Sequence, residues 1–377
     1  MTQLSTDERQ QLAQSVRAAC DRLVPEARVR AVAYDGAAPQ RGFDAELWKV
    51  LCGQVGVTAI GLPEHLGGAG YGASALGVVA HELGRTLAPV PFVASTVFAT
   101  GLLVAMRDQD PNADRRLTEL VEGKRTAAAA VTDDGGLWQR SAVTLAATHT
   151  GDGWLLEGTI RHVLNGAAAD DLVVAAIAEG EPAVFVLEST AHGVSKEVEN
   201  VLDGTRPMAT ITFDRAPATR LSGDGPVDDV IVRNIDLALA VLSAEQVGAC
   251  ERVLEIATEY ACTREQFDRP IGSFQAIKHK CADMLVDLEW ARSASQAALE
   301  AFDGVVGESG WRASMAKAVC SEALRDATHA NVQIHGGIGF TWEDSAHLYM
   351  RRARTDEVLF GGPAQHWDRL AAEAKIL

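Results

Sequence analysis

The charged segment near the C-terminus contains residue types that are suited to acid–base chemistry. A basic run, MRRARTD at 350–356, is followed by Glu357 and by the sequence VLFGG. Gly361 and Gly362, in the turn that follows, have no side chain that could act as an acid or a base. Ion pairs between Asp356 or Glu357 and the arginines of the basic run would account for the charges here. Either an acid–base residue lies elsewhere in the chain, or the chain has none.

The composition limits the class of protein. The chain has 377 residues, 47% of them hydrophobic, which is enough for two or three domains with a large core. Its formal net charge of −17 argues against a nucleic-acid-binding protein, although local basic clusters can still bind an anionic ligand. The start MTQLSTDERQ has no signal-peptide pattern, and the chain has no apolar run of membrane-spanning length. We expect a cytoplasmic protein with no membrane or nucleic-acid partner.

The cysteines do not predict a metal or redox site. None of them forms a C-x-x-C pair, and none has zinc-ligand spacing with histidine. Reduced thiols in a cytoplasmic protein are the expected state. The cysteines are Cys20, Cys52, Cys250, Cys262, Cys281 and Cys320.

The first third of the chain is predicted to be helical. Ser5 and Glu8 have capping-box spacing ahead of QQLAQSVRAACDRLV. FDAELWKVLCGQVGV is a second periodic stretch that ends at glycine. IGLPEHLGGAGYG at 60–72 is a cluster of turn residues, and ASALGVVAHELGRTLA restores helical spacing.

The middle of the chain changes to a pattern typical of strands. From about Thr126 to Leu221, short apolar runs are broken by glycine-containing turns, which predicts antiparallel strands. GDGPVDD at 223–229 is a predicted linker, and long helical periodicity follows it. In WRASMAKAVCSEALRDATHANVQIHGGIG alanine stands at the contact positions, which suits closely packed helices of a bundle. The predicted class is α+β, with three domains: a helical domain at 1–125, a β-domain at 126–225 and a four-helix bundle at 226–377.

Three segments together resemble the acyl-CoA dehydrogenase family. They are LPEHLGGAG (62–70), TREQFDRPIGSFQAIKHKCADM (263–284) and QIHGGIGFTWE (333–343), and the helical–β–helical order matches over essentially the whole chain. The resemblance implies an FAD cofactor and dehydrogenation of a CoA thioester between its α and β carbons. In such enzymes a carboxylate removes the α proton while a hydride passes to the flavin. The reduced flavin is commonly reoxidised by an electron-transfer flavoprotein.

In the resembling enzymes the flavin lies across a dimer interface, so this chain can be compared with two halves of a site. The half that holds the neighbour's adenosine and pyrophosphate is matched well. Arg264 matches an arginine on the pyrophosphate, a task that suits the fork of a guanidinium. Asp268 departs from the family, which usually has glycine there. The matching residues are Arg264, Phe267, Gln275, Gln333, Gly336 and Gly337. Taken singly, Arg264 could be a surface ion-pair residue and Gly336-Gly337 a helix C-terminal turn.

The half that would hold the chain's own flavin ring is matched poorly. In RHVLNGAAAD, His162 replaces a family tryptophan and Leu164 a family threonine. His162 is better interpreted as a strand histidine with a satisfied side chain than as a flavin contact. The loop VTDDGGLWQRS at 131–141 replaces an acidic, glycine-rich loop. Thr132 in it is equally compatible with a ring contact and with a solvated position.

The base is missing from both positions that the family uses. One position falls at Gly361, and the other falls at Ala238, where Leu239 also replaces an arginine and Asp236 is retained. Glu245 lies on the same helix face as Ala238, but seven residues or about 10 Å further along. A structural or interface role is therefore favoured for Glu245, and no catalytic residue is assigned.

This pattern of loss predicts a specialised subunit. Random decay is not expected to spare one half of a site and remove the other half together with the base. The leading hypothesis is a subunit of a heteromeric dehydrogenase, α2β2 as among actinobacterial lipid and steroid degraders, that completes a partner's FAD site. The alternatives are a homotetramer with a relocated base such as Glu245, a non-catalytic CoA-thioester-binding or scaffold protein, and, less favoured, a flavin monooxygenase. The basic run at 350–356 could also bind CoA phosphates, and the acyl group is not defined.

Overall fold

The structure is a computed structural model that describes residues 2–35, 42–132, 136–151, 153–304 and 309–374. Within the predicted loop at 131–141, residues 133–135 lie outside these ranges. The described chain forms helices, then a β-sheet, then helices again. This order confirms the predicted fold class.

The described helices before the sheet confirm that the first third of the chain is helical. They are α1 (Thr6–Leu23), α2 (Glu26–Ala33), α3 (Ala45–Val50), α4 (Ala73–Arg85), α5 (Thr100–Ala105) and α6 (Ala113–Val121). α1 begins at the predicted capping box, where the Glu8 carboxylate accepts from the Ser5 backbone N–H at 2.8 Å. α3 continues as a π-helical segment that ends at Gly56, whose φ of 78° suits glycine. A second π-helical segment, Phe92–Ala99, is fully buried and leads into α5.

The sheet is mostly antiparallel, as predicted, but it contains two parallel pairs. Its seven described strands are β1 (Ala127–Ala130), β2 (Ala146–Thr150), β3 (Gly153–Leu164), β4 (Asp171–Ala178), β5 (Glu181–Glu188), β6 (Val194–Val198) and β7 (Met208–Arg220). The order is β1-β4-β2-β3-β7-β5, and β6 also pairs with β7. β4 runs parallel to β1 and β2. β1 enters the sheet from α6 rather than through a hairpin, so its direction is not fixed as antiparallel.

The C-terminal part is a helical bundle with a small hairpin. Its elements are α7 (Val227–Thr263), β8 (Glu265–Gln266), β9 (Arg269–Pro270), α8 (Gln275–Phe302), α9 (Ser309–His335), α10 (Ala346–Val358) and α11 (Pro363–Glu373). The three long helices, α7 to α9, pack through small residues, as the alanine pattern predicts. Among the described helices, none combines the length and apolar character that a membrane span requires.

Two glycines let α4 and α7 cross at close range. A Cβ added to Gly84 would lie 2.0 Å from the Glu245 carbonyl oxygen, and one added to Gly248 would lie 2.0 Å from the His81 carbonyl oxygen. A larger side chain at either position would push the two helices apart. This crossing joins the first helical layer to the bundle and fixes the part of α7 that carries Glu245.

Candidate functional site

A small β-hairpin with a two-residue turn follows α7, and it carries the first group of predicted cofactor-binding residues. β8 and β9 pair antiparallel, and Phe267 and Asp268 form the tip between them. Both tip residues have left-handed backbones, with φ of 54° and 59°. Side chains disfavour this conformation, so local preference alone does not explain the turn. The Phe267 side chain is 85% exposed.

Arg264 and Gln275 flank this hairpin. Arg264 is the exposed residue that follows α7, and no described carboxylate forms an ion pair with its guanidinium. Gln275 is the first residue of α8, whose N-terminus has no side-chain cap. Its amide nitrogen lies 2.8 Å from His279 Nε2. Free backbone N–H groups at a helix start attract anions, so this surface offers donors next to a cation.

The second group of predicted residues lies where α9 ends. Gln333, Gly336 and Gly337 are exposed and line a surface depression of about 460 Å³. Gly336 has a φ of 68°, so a helix-ending role already accounts for it. Cβ atoms added to the two glycines would meet nothing within 4 Å, so the space above them is open. Tyr260 of α7 stacks on His335 with ring centroids 4.1 Å apart, which brings this segment to the same end of the bundle as the hairpin.

The position of the missing base is closed. Gly361 has a φ of 98°, a conformation that side chains rarely adopt. A Cβ added there would lie 3.0 Å from Leu137 Cγ and 3.3 Å from His366 Nε2. A glutamate at this position would therefore be strained and would meet side chains that already occupy the space.

A buried lysine and histidine hold the turn around Gly361. Lys317 Nζ donates to the carbonyl oxygens of Glu357 and Gly361, both at 3.1 Å. His366 Nε2 donates to the Phe360 carbonyl oxygen at 3.0 Å. Burial lowers the pKa of the Lys317 ammonium to about 8. Burial, with a contribution from Lys317, lowers the pKa of His366 to about 4, so its imidazole is neutral at pH 7.

The described part of the loop at 131–141 is fixed over the start of α7. Trp138 Nε1 donates to Asp228 Oδ1 at 2.7 Å, and Arg140 Nε donates to Asp228 Oδ2 at 2.9 Å. These contacts hold Leu137 next to Gly361. Thr132 is buried, which rules out the solvated position considered for it.

Strand β3, which would cover a flavin ring in the resembling enzymes, makes contacts within this chain instead. His162 has a left-handed φ of 57°, at a point where the pairing of β3 with β7 shifts register. Its Nδ1 lies 2.6 Å from Glu199 Oε2, and its backbone N–H donates to Glu199 Oε1 at 2.9 Å. The imidazole thus has a hydrogen-bond partner within the chain. This agrees with the interpretation of His162 as a strand histidine rather than a flavin contact. Leu164 is buried and offers no hydrogen bond to a ring.

The second family position for a base is also unavailable. Ala238 and Leu239 are fully buried in the core. Asp236 accepts from the Arg369 guanidinium at 2.5 and 2.8 Å. Burial raises the pKa of Asp236, and Arg369 opposes that effect. The retained acid therefore serves to fasten α11 to α7.

Glu245 lies in a buried ion-pair network rather than facing a cavity. It accepts from Arg206 Nη2 at 2.6 Å and from Arg352 Nη1. Asp356 is paired with Arg206 at 2.6 Å, not with an arginine of its own basic run. The sequence did not reveal this because Arg206 is 150 residues away along the chain. Two buried guanidinium groups occupy this carboxylate, which supports the structural role of Glu245.

The arginines of the basic run are already occupied. Arg351 donates to the Leu202 carbonyl oxygen at 3.1 Å, Arg352 is buried in the network, and Arg354 pairs with Glu357 at 2.8 Å. These contacts argue against a role for the run in binding CoA phosphates.

The sequence interpretation missed the residues that close the turn. Among these residues, only Lys317 could have been recognised from the sequence. It lies four residues from both Ala313 and Ser321, which places it on the small-residue face of α9. A charge on a contact face indicates a buried partner. Leu137 and His366 have no such signal, since only the folded chain brings them to Gly361.

Comparison with known proteins gives concordant matches. Profiles described as "Acyl-CoA dehydrogenase, N-terminal domain" and "Acyl-CoA dehydrogenase, C-terminal domain" match residues 6–109 and 229–375. The acyl-CoA dehydrogenase IpdE2 of Mycobacterium tuberculosis is 34% identical, over 97% of both chains. One chain in the crystal structure of the ChsE4-ChsE5 complex from Mycobacterium tuberculosis is 30% identical to this chain. The TM-score is 0.86, and the match covers 100% of this chain and 100% of that chain. A variant of the Tcur3481-Tcur3483 steroid ACAD is 29% identical, with a TM-score of 0.85 over 98% of both chains.

Proposed function

We propose a function from the premise that this chain belongs to the acyl-CoA dehydrogenase family. It is a subunit of an FAD-dependent enzyme that dehydrogenates a CoA thioester between its α and β carbons. Its task is to complete the FAD site of a related, catalytic chain in an α2β2 assembly. The observation that carries the proposal is an asymmetry: the predicted nucleotide-binding residues are exposed, whereas the chain's own catalytic position is closed.

The exposed residues fit the adenosine and pyrophosphate end of a partner's FAD. Arg264 has no ion pair among the described residues, and the start of α8 beside it is uncapped. The open surface above Gly336 and Gly337 lets a ligand approach the backbone. In this proposal Arg264 holds the pyrophosphate, Phe267 packs beside it, and Gln275 and Gln333 supply polar contacts. FAD, when bound, supplies the hydride acceptor of the reaction.

The chain's own residues are not suited to the chemical step. The turn at Gly361 is closed by Leu137, and Glu245 is neutralised by two arginines. The proton at the α carbon would therefore be removed by a carboxylate of the partner. The contribution of this chain is to bind and orient the nucleotide and to stiffen the assembly.

The relatives support the kind of assembly and of substrate. One related structure is the ChsE4-ChsE5 complex, and another is named a steroid ACAD. They favour a heteromeric partner and a steroid-derived acyl group for this chain. We also propose a cytoplasmic location and reoxidation by an electron-transfer flavoprotein, as the family membership suggests.

Co-purification tests the proposal. We would purify the chain alone and together with a homologous chain from the same genome that carries the base and the flavin-ring residues. The pair is expected to contain FAD and to oxidise acyl-CoA, and the lone chain to do neither. Arg264→Ala should lower FAD occupancy of the pair, whereas Arg115→Ala, at an exposed ion pair elsewhere, should not. Full flavin occupancy and turnover by the lone chain would refute the proposal.

A further inference from the structure

Asp268 is the residue of the hairpin whose charge does not fit a phosphate-binding surface. It lies at the tip, four residues after Arg264, and no described residue forms an ion pair with it. A carboxylate near a pyrophosphate is unfavourable unless it faces a hydrogen-bond donor. The exposed carboxylate of Asp268 is therefore available to accept hydrogen bonds from a group outside the chain.

The hairpin holds Asp268 in a fixed and unfavourable conformation. Two-residue hairpins with left-handed backbones at both positions prefer Asn-Gly or Asp-Gly, but this one has Phe267 followed by Asp268. The base of the hairpin is braced by Arg269, whose guanidinium lies 4.0 Å from the Phe274 ring centroid, and Phe267 meets the same ring edge-on at 6.0 Å. The Ile271 N–H also donates to the Arg264 carbonyl oxygen at 2.8 Å. The backbone position of Asp268 is thus set by the fold, against local preference.

We propose that Asp268 selects the nucleotide: it accepts hydrogen bonds from the free ribose hydroxyls of FAD's adenosine and repels the 3′-phosphate of CoA. The inference rests on the proposed function, in which Arg264 holds the pyrophosphate. FAD and the CoA thioester both contain an adenosine diphosphate group. A surface that binds only the pyrophosphate would therefore not distinguish them. The ribose of the adenosine is joined directly to the pyrophosphate in either ligand, and in CoA it carries the 3′-phosphate.

The chemistry of the two riboses gives Asp268 its selectivity. An unmodified ribose offers two adjacent O–H donors, which match the two oxygens of a carboxylate, as carboxylates that bind NAD riboses show. A 3′-phosphate removes one donor and adds a group with up to two negative charges. At about 6 Å in water this repulsion reduces binding roughly tenfold.

Competition for FAD tests the inference. The complex with the catalytic partner is stripped of flavin, and FAD rebinding is followed by flavin fluorescence in the presence of ADP or of 3′-phosphorylated ADP. ADP is expected to compete about tenfold better than its 3′-phosphorylated form.

The variants separate selectivity from folding. Asp268→Asn removes the charge, and Asp268→Gly also removes backbone strain, so both should fold and both should bring the two competitors within about threefold of each other. Glu265→Gln, which removes an exposed charge from β8 of the same hairpin, should leave the tenfold preference intact. Equal competition in the wild-type complex, or an unchanged preference in Asp268→Gly, would overturn the inference while FAD binding, and with it the proposed function, stands. A complex that takes up no FAD would overturn both.

Discussion

At Gly361 the backbone has a conformation that a glutamate could adopt only with strain. Restoring the family's base by Gly361→Glu is therefore expected to give no acyl-CoA oxidation by the lone chain. The substitution should instead lower the free energy of unfolding by about 1–3 kcal/mol, because of the φ of 98° and the contact with Leu137. Denaturant unfolding and an acyl-CoA turnover assay measure the two effects.

The next residue provides a matched control for this variant. Gly362 has an ordinary φ of −80°, and the nearest atom to an added Cβ is the Glu357 carbonyl oxygen at 3.9 Å. Gly362→Ala should thus change stability by less than about 0.5 kcal/mol. If Gly361→Glu were as stable as Gly362→Ala and gained turnover, the catalytic position would be open after all.

At the scale of elements, α11 is tied to the turn that follows α10 by His366. Burial lowers the pKa of this imidazole to about 4, below the unfolded value of about 6.5. The unfolded chain therefore binds a proton first as the pH falls. The contribution to stability is fully present above about pH 6.5 and is lost by about pH 4, at a total of roughly 3 kcal/mol.

The variant His366→Gln is expected to flatten this acid dependence. The free energy of unfolding, measured from pH 7 down to pH 4, should fall less steeply than in the wild type, because the group that protonates on unfolding is gone. His65→Gln, at an exposed histidine, should keep the wild-type slope. An unchanged slope in His366→Gln would show that other groups dominate acid unfolding.

The elements differ in how far the sequence could predict them. The capping box at Ser5 and Glu8 and the small-residue face of α9 are local patterns, and the structure confirms both. The parallel pairs of β4 depend on the path of the chain between strands, which no local pattern encodes. For the same reason, the loss of the base was visible at Gly361, whereas the closure of that position by Leu137 was not. The predicted nucleotide residues and domain boundaries remain predictions.

At the scale of the whole molecule, a buried ion-pair network joins parts that are distant in the chain. Arg206 precedes β7, Glu245 is in the middle of α7, and Asp356 and Arg352 are in α10. Arg352 also pairs with Asp203 at 2.8 Å. The network therefore connects the sheet to two helices of the bundle. Removal of Arg206 or Arg352 would leave one buried carboxylate without a guanidinium and Glu245 with only one.

Arg206→Met is expected to destabilise the whole chain by about 3–5 kcal/mol, because Glu245 and Asp356 would each lose a guanidinium while remaining buried. Arg115→Met, which breaks an exposed pair with Glu119, should cost less than about 1 kcal/mol. Denaturant unfolding followed by both tryptophan fluorescence and circular dichroism measures these costs. If the network joins the sheet to the bundle, the two signals of Arg206→Met should separate into different transitions. Equal costs for the two variants would mean that other contacts hold the sheet and the bundle together.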